Sequence, residues 1–107
     1  MTVPIQRLPS HLFPVLFKTG KRINTASLRC LVSTTKNSLS QYAVIVGVKV
    51  QKSAVRRNRI KRIIRAALQH VFQEISSPIN CLVLVKKDCS MYKTTDIIKE
   101  LDVLKTL

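Results

Sequence analysis

The fold is organised around the stretch Lys49 to Arg65, KVQKSAVRRNRIKRIIR, which contains eight of the 19 positive charges and no acidic residue. Apolar side chains recur in this stretch and beyond it at the spacing of one helical face. They are Ile60, Ile63, Ile64, Ala67, Leu68 and Val71. The opposite face carries Asn58, Lys61, Arg62 and Arg65, with Arg57 and Arg59 at its borders. The pattern predicts a helix over about residues 53–75 that packs one face on a core and presents cations to solvent.

Positive charge is concentrated on the amino-terminal side of the chain. The 107 residues carry 19 Lys and Arg against 5 Asp and Glu, a net charge of +14, and every acid lies at or beyond Glu74. Surface helices usually mix both signs, but residues 52–73 contain no acid. Because uncompensated like charges repel one another, a polyanionic partner is expected. Nucleic acid is the commonest such partner, and an anionic membrane surface is the alternative.

Hydropathy gives the membrane alternative little support. No apolar run approaches the ~20 residues of a spanning helix. The first residues, MTVPIQRLPSHLF, lack an apolar region followed by a small-residue cleavage site. Cys30, Cys81 and Cys89 lack the spacing of a metal-binding or redox motif. We therefore expect a cytoplasmic protein whose thiols stay reduced and idle.

Hydrophobic patterning also predicts the other helices and strands. A short helix is expected from Pro9 to Lys18, with Ser10 as its N-cap and Gly20 as its stop. Strands are expected at Leu28 to Ser33, Tyr42 to Val50 and Cys81 to Val85, and a last helix at about Thr94 to Lys105. The pattern leaves open a further short strand at Arg22 to Thr25. The order α-β-β-(β)-α-β-α predicts one domain over residues 1–107, an α+β two-layer sandwich with a small mixed sheet of about four strands.

Side chains suited to catalysis by the protein itself are scarce. His11 and His70 have no Asp, Glu or Cys at a useful spacing. With only Gly20 and Gly47, the chain has no glycine-rich phosphate loop. No cluster of carboxylates could hold Mg²⁺ by protein groups alone. Neither catalytic residues nor metal ligands are therefore predicted.

The basic stretch itself is better suited to binding phosphates. Arg outnumbers Lys five to two between Lys52 and Arg65, and the guanidinium group forms forked hydrogen bonds with phosphate. Lys52 and Arg56 join the predicted contacts. A merely solvated face is the ordinary alternative, but it would carry both signs of charge. A β-branched strand enters the basic helix, which disfavours a DNA-binding helix-turn-helix, and the absence of Trp disfavours a membrane-surface helix.

The sequence AVRRNRIKRIIRAAL, residues 54–68, closely resembles the signature of bacterial ribonuclease P protein subunits. The resemblance extends over nearly the whole chain. Phe13-x3-Phe17-x2-Gly20 is similar to the family's first helix. The segments Leu28 to Val32, Tyr42 to Lys49 and Cys81 to Lys87 are similar to its strands.

This resemblance implies the protein subunit of a ribonucleoprotein endonuclease, a hydrolase that removes the 5′ leader of precursor tRNA. The RNA subunit would perform the chemistry with Mg²⁺, and the sheet would include a left-handed βαβ crossover. Ribonuclease P RNA and precursor tRNA are the implied partners, with no obligate protein partner evident. The implied contacts with the catalytic RNA are Arg57, Asn58, Arg59, Lys61, Arg62 and Arg65. The implied cleft for the single-stranded leader has Phe13 and Phe17 as its wall and Lys49 as its cation, although core packing is the default for such a phenylalanine pair.

The chain departs from the family pattern in several places. The usual acidic residue before the first Phe is missing, and three other positions differ. Ala43 replaces the usual glycine, Val48 replaces the first of two lysines, and Leu31 occupies a position that is often aromatic. These changes predict a less selective or weaker leader cleft and leave the basic helix unaltered. The alternative function is a structured-RNA-binding module, similar to a ribosomal protein, that docks the same helix without changing any reaction.

Overall fold

The computed structural model describes residues 5–35, 39–75 and 77–106. The five strands are β1 (Gln6–Arg7), β2 (Lys21–Asn24), β3 (Leu28–Thr34), β4 (Gln41–Ile45) and β5 (Ile79–Val85). The three α-helices are α1 (Phe13–Thr19), α2 (Ala54–Phe72) and α3 (Thr94–Leu101). Short 3-10 segments, Ser10–Leu12 and Asp102–Thr106, precede α1 and follow α3.

The strands form one mixed sheet in the order β1-β4-β5-β3-β2. Strand β4 is parallel to both β1 and β5, whereas β3 is antiparallel to both β5 and β2. The parallel neighbours β4 and β5 are connected through α2, so they form the predicted βαβ unit. The left-handedness of this crossover stays a prediction. The short strand that the sequence pattern left open at Arg22 to Thr25 is present as β2, Lys21–Asn24. Strand β1 was not predicted.

Apolar side chains cover both faces of the sheet. On one face, the strands pack against α2 and α3, with Ile60, Ile64, Leu68 and Leu101 fully buried. On the other face, Leu16 of α1 packs into a smaller cluster. That cluster also contains Leu8, Leu31, Ala43 and Leu82. The sheet and the layer formed by α2 and α3 make up the predicted α+β sandwich. Helix α1 covers part of the other face of the sheet.

Helix α2 agrees with the sequence prediction at its start and along its buried face. The Ser53 Oγ accepts a hydrogen bond from the Arg56 N–H at 3.3 Å, which satisfies one of the free donors of the first turn. The helix ends at Phe72, three residues before the predicted end. All six predicted apolar positions pack against the core, and only Ile63 is partly rather than fully buried.

Other boundaries differ from the sequence prediction. The strand predicted to reach Val50 ends at Ile45. The Gly47 carbonyl accepts hydrogen bonds from the N–H groups of Val50 and Gln51, at 3.1 and 3.2 Å, so this segment forms a turn. Ser10 makes no side-chain capping bond, and α1 begins only at Phe13.

Gly20 does end α1, as predicted. Its N–H donates to the Leu16 carbonyl at 2.9 Å, and an added Cβ would lie 2.5 Å from that oxygen. Cys30, Cys81 and Cys89 are buried and unpaired by disulfides. Among the residues that the structure describes, no helix combines the length and apolar character needed to span a bilayer.

Candidate nucleic-acid interface

The solvent side of α2 is a surface of cations and hydrogen-bond donors, which we call the basic face. Its members Asn58, Arg59, Lys61, Arg62 and Arg65 are all exposed. Lys52 and Arg56, also exposed, extend it to the helix start. Ion pairs found in the described part of the chain involve Glu74 and Asp102, which pair with His70 and Lys105 rather than with this face. The contact of His70 with Glu74, four positions along the helix, corrects the expectation that no acid lies at a useful spacing from this histidine. Asp88, which follows β5, attracts the charge of Arg56 at the helix start. The positive charge along the rest of the basic face is left for an external partner.

Arg57 has a structural role besides its predicted RNA contact. Its Nη1 donates to the carbonyl oxygens of Gln51 and Lys52, at 3.0 and 2.9 Å. The side chain thereby folds back over the helix start and is only partly exposed. Its remaining guanidinium donors can still reach a phosphate. The structure thus assigns Arg57 to the border of the basic face, as the sequence predicts.

We expect Arg57→Ala to lower the free energy of unfolding by about 1 kcal/mol, because two carbonyl groups lose a charged donor. Arg57→Lys should recover only part of this loss, since an ammonium group lacks the planar fork. Urea denaturation of both variants measures the change. Arg59→Ala is the matched control, because Arg59 is exposed, and the prediction fails if both alanine variants unfold at the same urea concentration.

The segment that leads into α2 is tied to the segment that follows β5. The Gln51 Nε2 donates to Asp88 Oδ2 at 2.7 Å, and its Oε1 accepts from the Ser53 N–H at 3.1 Å. The backbone N–H of Ser90, which donates to Asp88 at 2.9 Å, is the main cause that holds the pKa of Asp88 below its usual value. Asp88 therefore keeps its negative charge to a lower pH than an ordinary aspartate does.

A pocket lies between α2 and the edge of the sheet. It has a volume of about 150 Å³ and brings Lys61, Arg62 and Arg65 together with Arg7 of β1. Tyr42, Ala43 and Val44 of β4 complete its lining. Sequence reasoning missed Arg7, because the residue lies 54 or more positions before its neighbours on α2. A lone Arg within a two-residue strand gives no local signal.

The predicted cleft residues occupy two elements. Phe13 and Phe17 lie one turn apart on α1, where Phe13 packs against the smaller cluster and Phe17 is 46% exposed. Lys49 lies exposed in the turn beyond β4. Ile45 and Leu84, paired across β4 and β5, continue the apolar surface on the α1 side of the sheet. An apolar wall with a cation beyond the strand end is compatible with the predicted cleft, whose role stays a prediction.

The three departures from the family pattern have different surroundings. Leu31 and Ala43, whose side chains have neither a ring nor a charge, are buried in the cluster beneath α1. Val48 is 61% exposed in the turn that also carries Lys49. The surface at this turn therefore has one cation where the family pattern has two.

The profile of one protein family matches residues 7–106, and its description is Ribonuclease P. The chain belongs to the ribonuclease P protein family. Its members are protein components of an endoribonuclease holoenzyme that acts in tRNA processing. Family membership therefore places this chain in a ribonucleoprotein.

Similarity to individual members of this family extends over most of the chain. The ribonuclease P protein component of Synechococcus elongatus is 33% identical over 99 residues, covering 88% of this chain and 81% of that protein. The structure of the Thermotoga maritima RNase P protein superposes with a TM-score of 0.82 at 23% identity, covering 94% and 99% of the two chains. The Staphylococcus aureus protein gives a TM-score of 0.77 at 22% identity, covering 94% and 93%. The predicted fold is thereby confirmed.

Proposed function

We propose that this protein docks the basic face of α2 on ribonuclease P RNA and assists removal of the 5′ leader from precursor tRNA. The observation that carries the proposal is the pairing of two faces on one helix. Ile60, Ile64 and Leu68 anchor α2 in the core at 0% exposure. Among the described residues no salt bridge reaches the exposed basic face opposite them, and Asp88 attracts only the charge of Arg56 at its start. A rigidly held row of Arg and Lys can follow the phosphates of a folded RNA.

The proposed division of labour leaves the chemistry to the RNA. Mg²⁺ bound by the RNA would supply a hydrolytic nucleophile and stabilise the leaving oxygen. In the described residues, no three His, Cys, Asp or Glu side chains come together as a metal site. The protein's own residues would neutralise phosphates near the catalytic RNA, so that less Mg²⁺ is needed to hold the complex together. We place this assembly in the cytoplasm.

The proposed leader site is the α1 side of the sheet. Single-stranded nucleotides expose their bases, which stack on aromatic rings while cations bind the backbone. The half-exposed ring of Phe17 and the exposed ammonium of Lys49 offer these two interactions. Phe13, which is partly buried, supports the wall from behind. With Val48 in place of a cation, leader binding is expected to depend more on apolar contact than on charge.

Binding to ribonuclease P RNA is expected to weaken steeply as salt rises, because each neutralised phosphate releases bound counterions. The Arg62→Ala/Arg65→Ala double variant should show a slope of log affinity against log salt that is smaller by about two. Filter binding or fluorescence titration over a series of KCl concentrations measures both slopes.

The matched control for this measurement is the Arg22→Ala/Lys99→Ala double variant, which also removes two exposed cations but lies on β2 and α3. It should keep nearly the wild-type slope. Equal slopes for the two double variants would mean that the basic face is not the docking surface. A salt-independent affinity of the wild-type protein would contradict the electrostatic argument altogether.

A further inference from the structure

We propose that Arg7 completes a phosphate-binding pocket between the sheet edge and α2, and that this pocket receives one backbone phosphate of the bound RNA. The pocket is the one lined by Arg7, Lys61, Arg62 and Arg65 over β4. The phosphate would be held from two sides, by the edge strand and by the helix. The RNA part of this inference rests on the proposed function, whereas phosphate binding by the pocket does not.

The backbone of β1 directs Arg7 into the pocket. Arg7 pairs with Tyr42 of β4, and the flanking hydrogen bonds run from the Gln6 N–H to the Ser40 carbonyl and from the Leu8 N–H to the Tyr42 carbonyl, at 3.1 and 2.6 Å. Leu8 is buried in the cluster on the α1 side of the sheet. Because neighbouring side chains of a strand point to opposite faces, Arg7 lies on the α2 side.

The chemistry of the lining favours an anion. Four cations converge on the pocket, and none of the chain's five acids, all within the described residues, contributes to its lining. Guanidinium groups are strong hydrogen-bond donors to phosphate oxygens and keep their charge at any physiological pH. Without an anion, these four like charges repel one another across the gap between β1 and α2. A bound phosphate would turn that repulsion into attraction.

The size of the pocket favours one phosphate group. Pockets for drug-sized ligands have volumes of about 300–1,000 Å³, and this pocket of about 150 Å³ is smaller. A second hollow of about 230 Å³, lined by Arg62, Arg65, Ala66 and Gln69, shares two arginines with it. The two hollows together form a track along α2, as a continuous phosphodiester backbone requires and a free phosphate ion does not.

The first arm of the test uses inorganic phosphate and no RNA. The melting temperature of the full chain is measured against phosphate concentration at an ionic strength held constant with NaCl, for wild type, Arg7→Ala and Arg22→Ala. A ligand that binds only the folded state raises the melting temperature. Arg22 is the matched control, because it is an exposed arginine on β2, the opposite edge of the sheet. The wild-type protein and Arg22→Ala should gain stability from phosphate, and Arg7→Ala should lose most of that gain.

The second arm measures affinity for ribonuclease P RNA at moderate salt. Arg7→Ala should bind about tenfold more weakly, with a salt slope smaller by about one, as for loss of one charge-assisted phosphate contact. Arg22→Ala should bind within about twofold of wild type. Arg7→Gln, which removes the charge but keeps a long side chain, repeats the comparison if alanine loosens the edge strand.

The outcomes separate this inference from the proposed function. Equal phosphate stabilisation of wild type and Arg7→Ala would overturn the pocket. Equal RNA affinity of Arg7→Ala and Arg22→Ala would overturn the assignment of the phosphate to RNA, even if free phosphate binds. Failure of the wild-type protein to bind ribonuclease P RNA would reject the proposed function, while the phosphate arm would still decide whether the pocket exists.

Discussion

Adding this protein to ribonuclease P RNA at low Mg²⁺ is expected to raise the rate of precursor-tRNA cleavage at least tenfold. The Arg62→Ala/Arg65→Ala double variant should lose most of that increase when protein is limiting. Each lost charge-assisted contact is expected to cost ~1–2 kcal/mol of RNA binding. Two such contacts correspond to roughly 30-fold to 1,000-fold in affinity. Cleavage of a 5′-labelled precursor under single-turnover conditions measures the effect.

Two controls define how this result is read. The Arg22→Ala/Lys99→Ala double variant should stimulate cleavage as the wild-type protein does, because its losses lie away from the basic face. Raising Mg²⁺ should shrink the advantage of the wild-type protein, since divalent ions then screen the same phosphates. Tight RNA binding without any increase in rate would instead identify a structural RNA-binding module and would remove the leader-site assignments.

Ile64→Ala should lower the stability of the fold and leave RNA binding nearly unchanged. Arg65→Ala should lower RNA affinity and leave stability nearly unchanged, although the two residues are neighbours on α2. Ile64 is 0% exposed, so truncation should lower the free energy of unfolding by about 2–5 kcal/mol through lost burial and a residual cavity. That is a large part of the ~5–15 kcal/mol that stabilises a typical domain. Arg65 is exposed, so its truncation should leave stability within about 0.5 kcal/mol. Urea denaturation and RNA titration of both variants measure the two effects.

In RNA titrations under conditions where both variants are folded, the ranking should reverse. Ile64→Ala should bind RNA nearly as wild type does, because the basic face is unchanged, whereas Arg65→Ala should bind more weakly. Ile64→Val is a milder control, with an expected loss of about 0.5–1.5 kcal/mol in stability. Similar RNA affinities for Ile64→Ala and Arg65→Ala would mean that the two faces of α2 are not functionally separate.

The best-predicted part of the molecule is α2, because three local signals agree there. A helical repeat of apolar residues, a capping serine at position 53 and an acid-free opposite face all lie within one stretch. The buried face from Ile60 to Val71 is therefore as predicted. The helix ends at Phe72, earlier than predicted. The predicted end rested on Pro78, which limits how far a helix can extend but does not require the helix to reach that limit.

Elements that depend on distant pairing were predicted less well. Strand β1 has two residues, Gln6 and Arg7, and exists only because β4 offers a free edge. The valines at positions 46, 48 and 50 have a high strand propensity. The Gly47 carbonyl, however, accepts hydrogen bonds from the N–H groups of Val50 and Gln51, so the chain turns before these valines can pair with a neighbouring strand. Propensity describes what a residue tolerates, whereas the tertiary context decides whether a partner strand is available.

The site residues also divide into those with a local sequence signal and those that only the fold brings together. The basic face is local to one helix, so the sequence pattern identified its members. The pocket brings Arg7 together with residues of α2 that lie 54 to 58 positions later in the chain. The hydrogen bond between Gln51 and Asp88 spans 37 positions. Charge counts indicate that cations are in excess, but only the fold shows which of them converge.

The central position of β5 has a consequence for synthesis of the chain on the ribosome. Strands β3 and β4 do not pair with each other; each pairs with β5, which spans Ile79–Val85. The sheet therefore cannot complete its strand pairing until part of the last third of the chain has emerged from the ribosome. Until then, the nascent polypeptide is a polycation, because every acidic residue lies at or beyond Glu74. Residues 1–73 therefore carry a net charge of +14 while they still lack the strand that joins the two halves of the sheet.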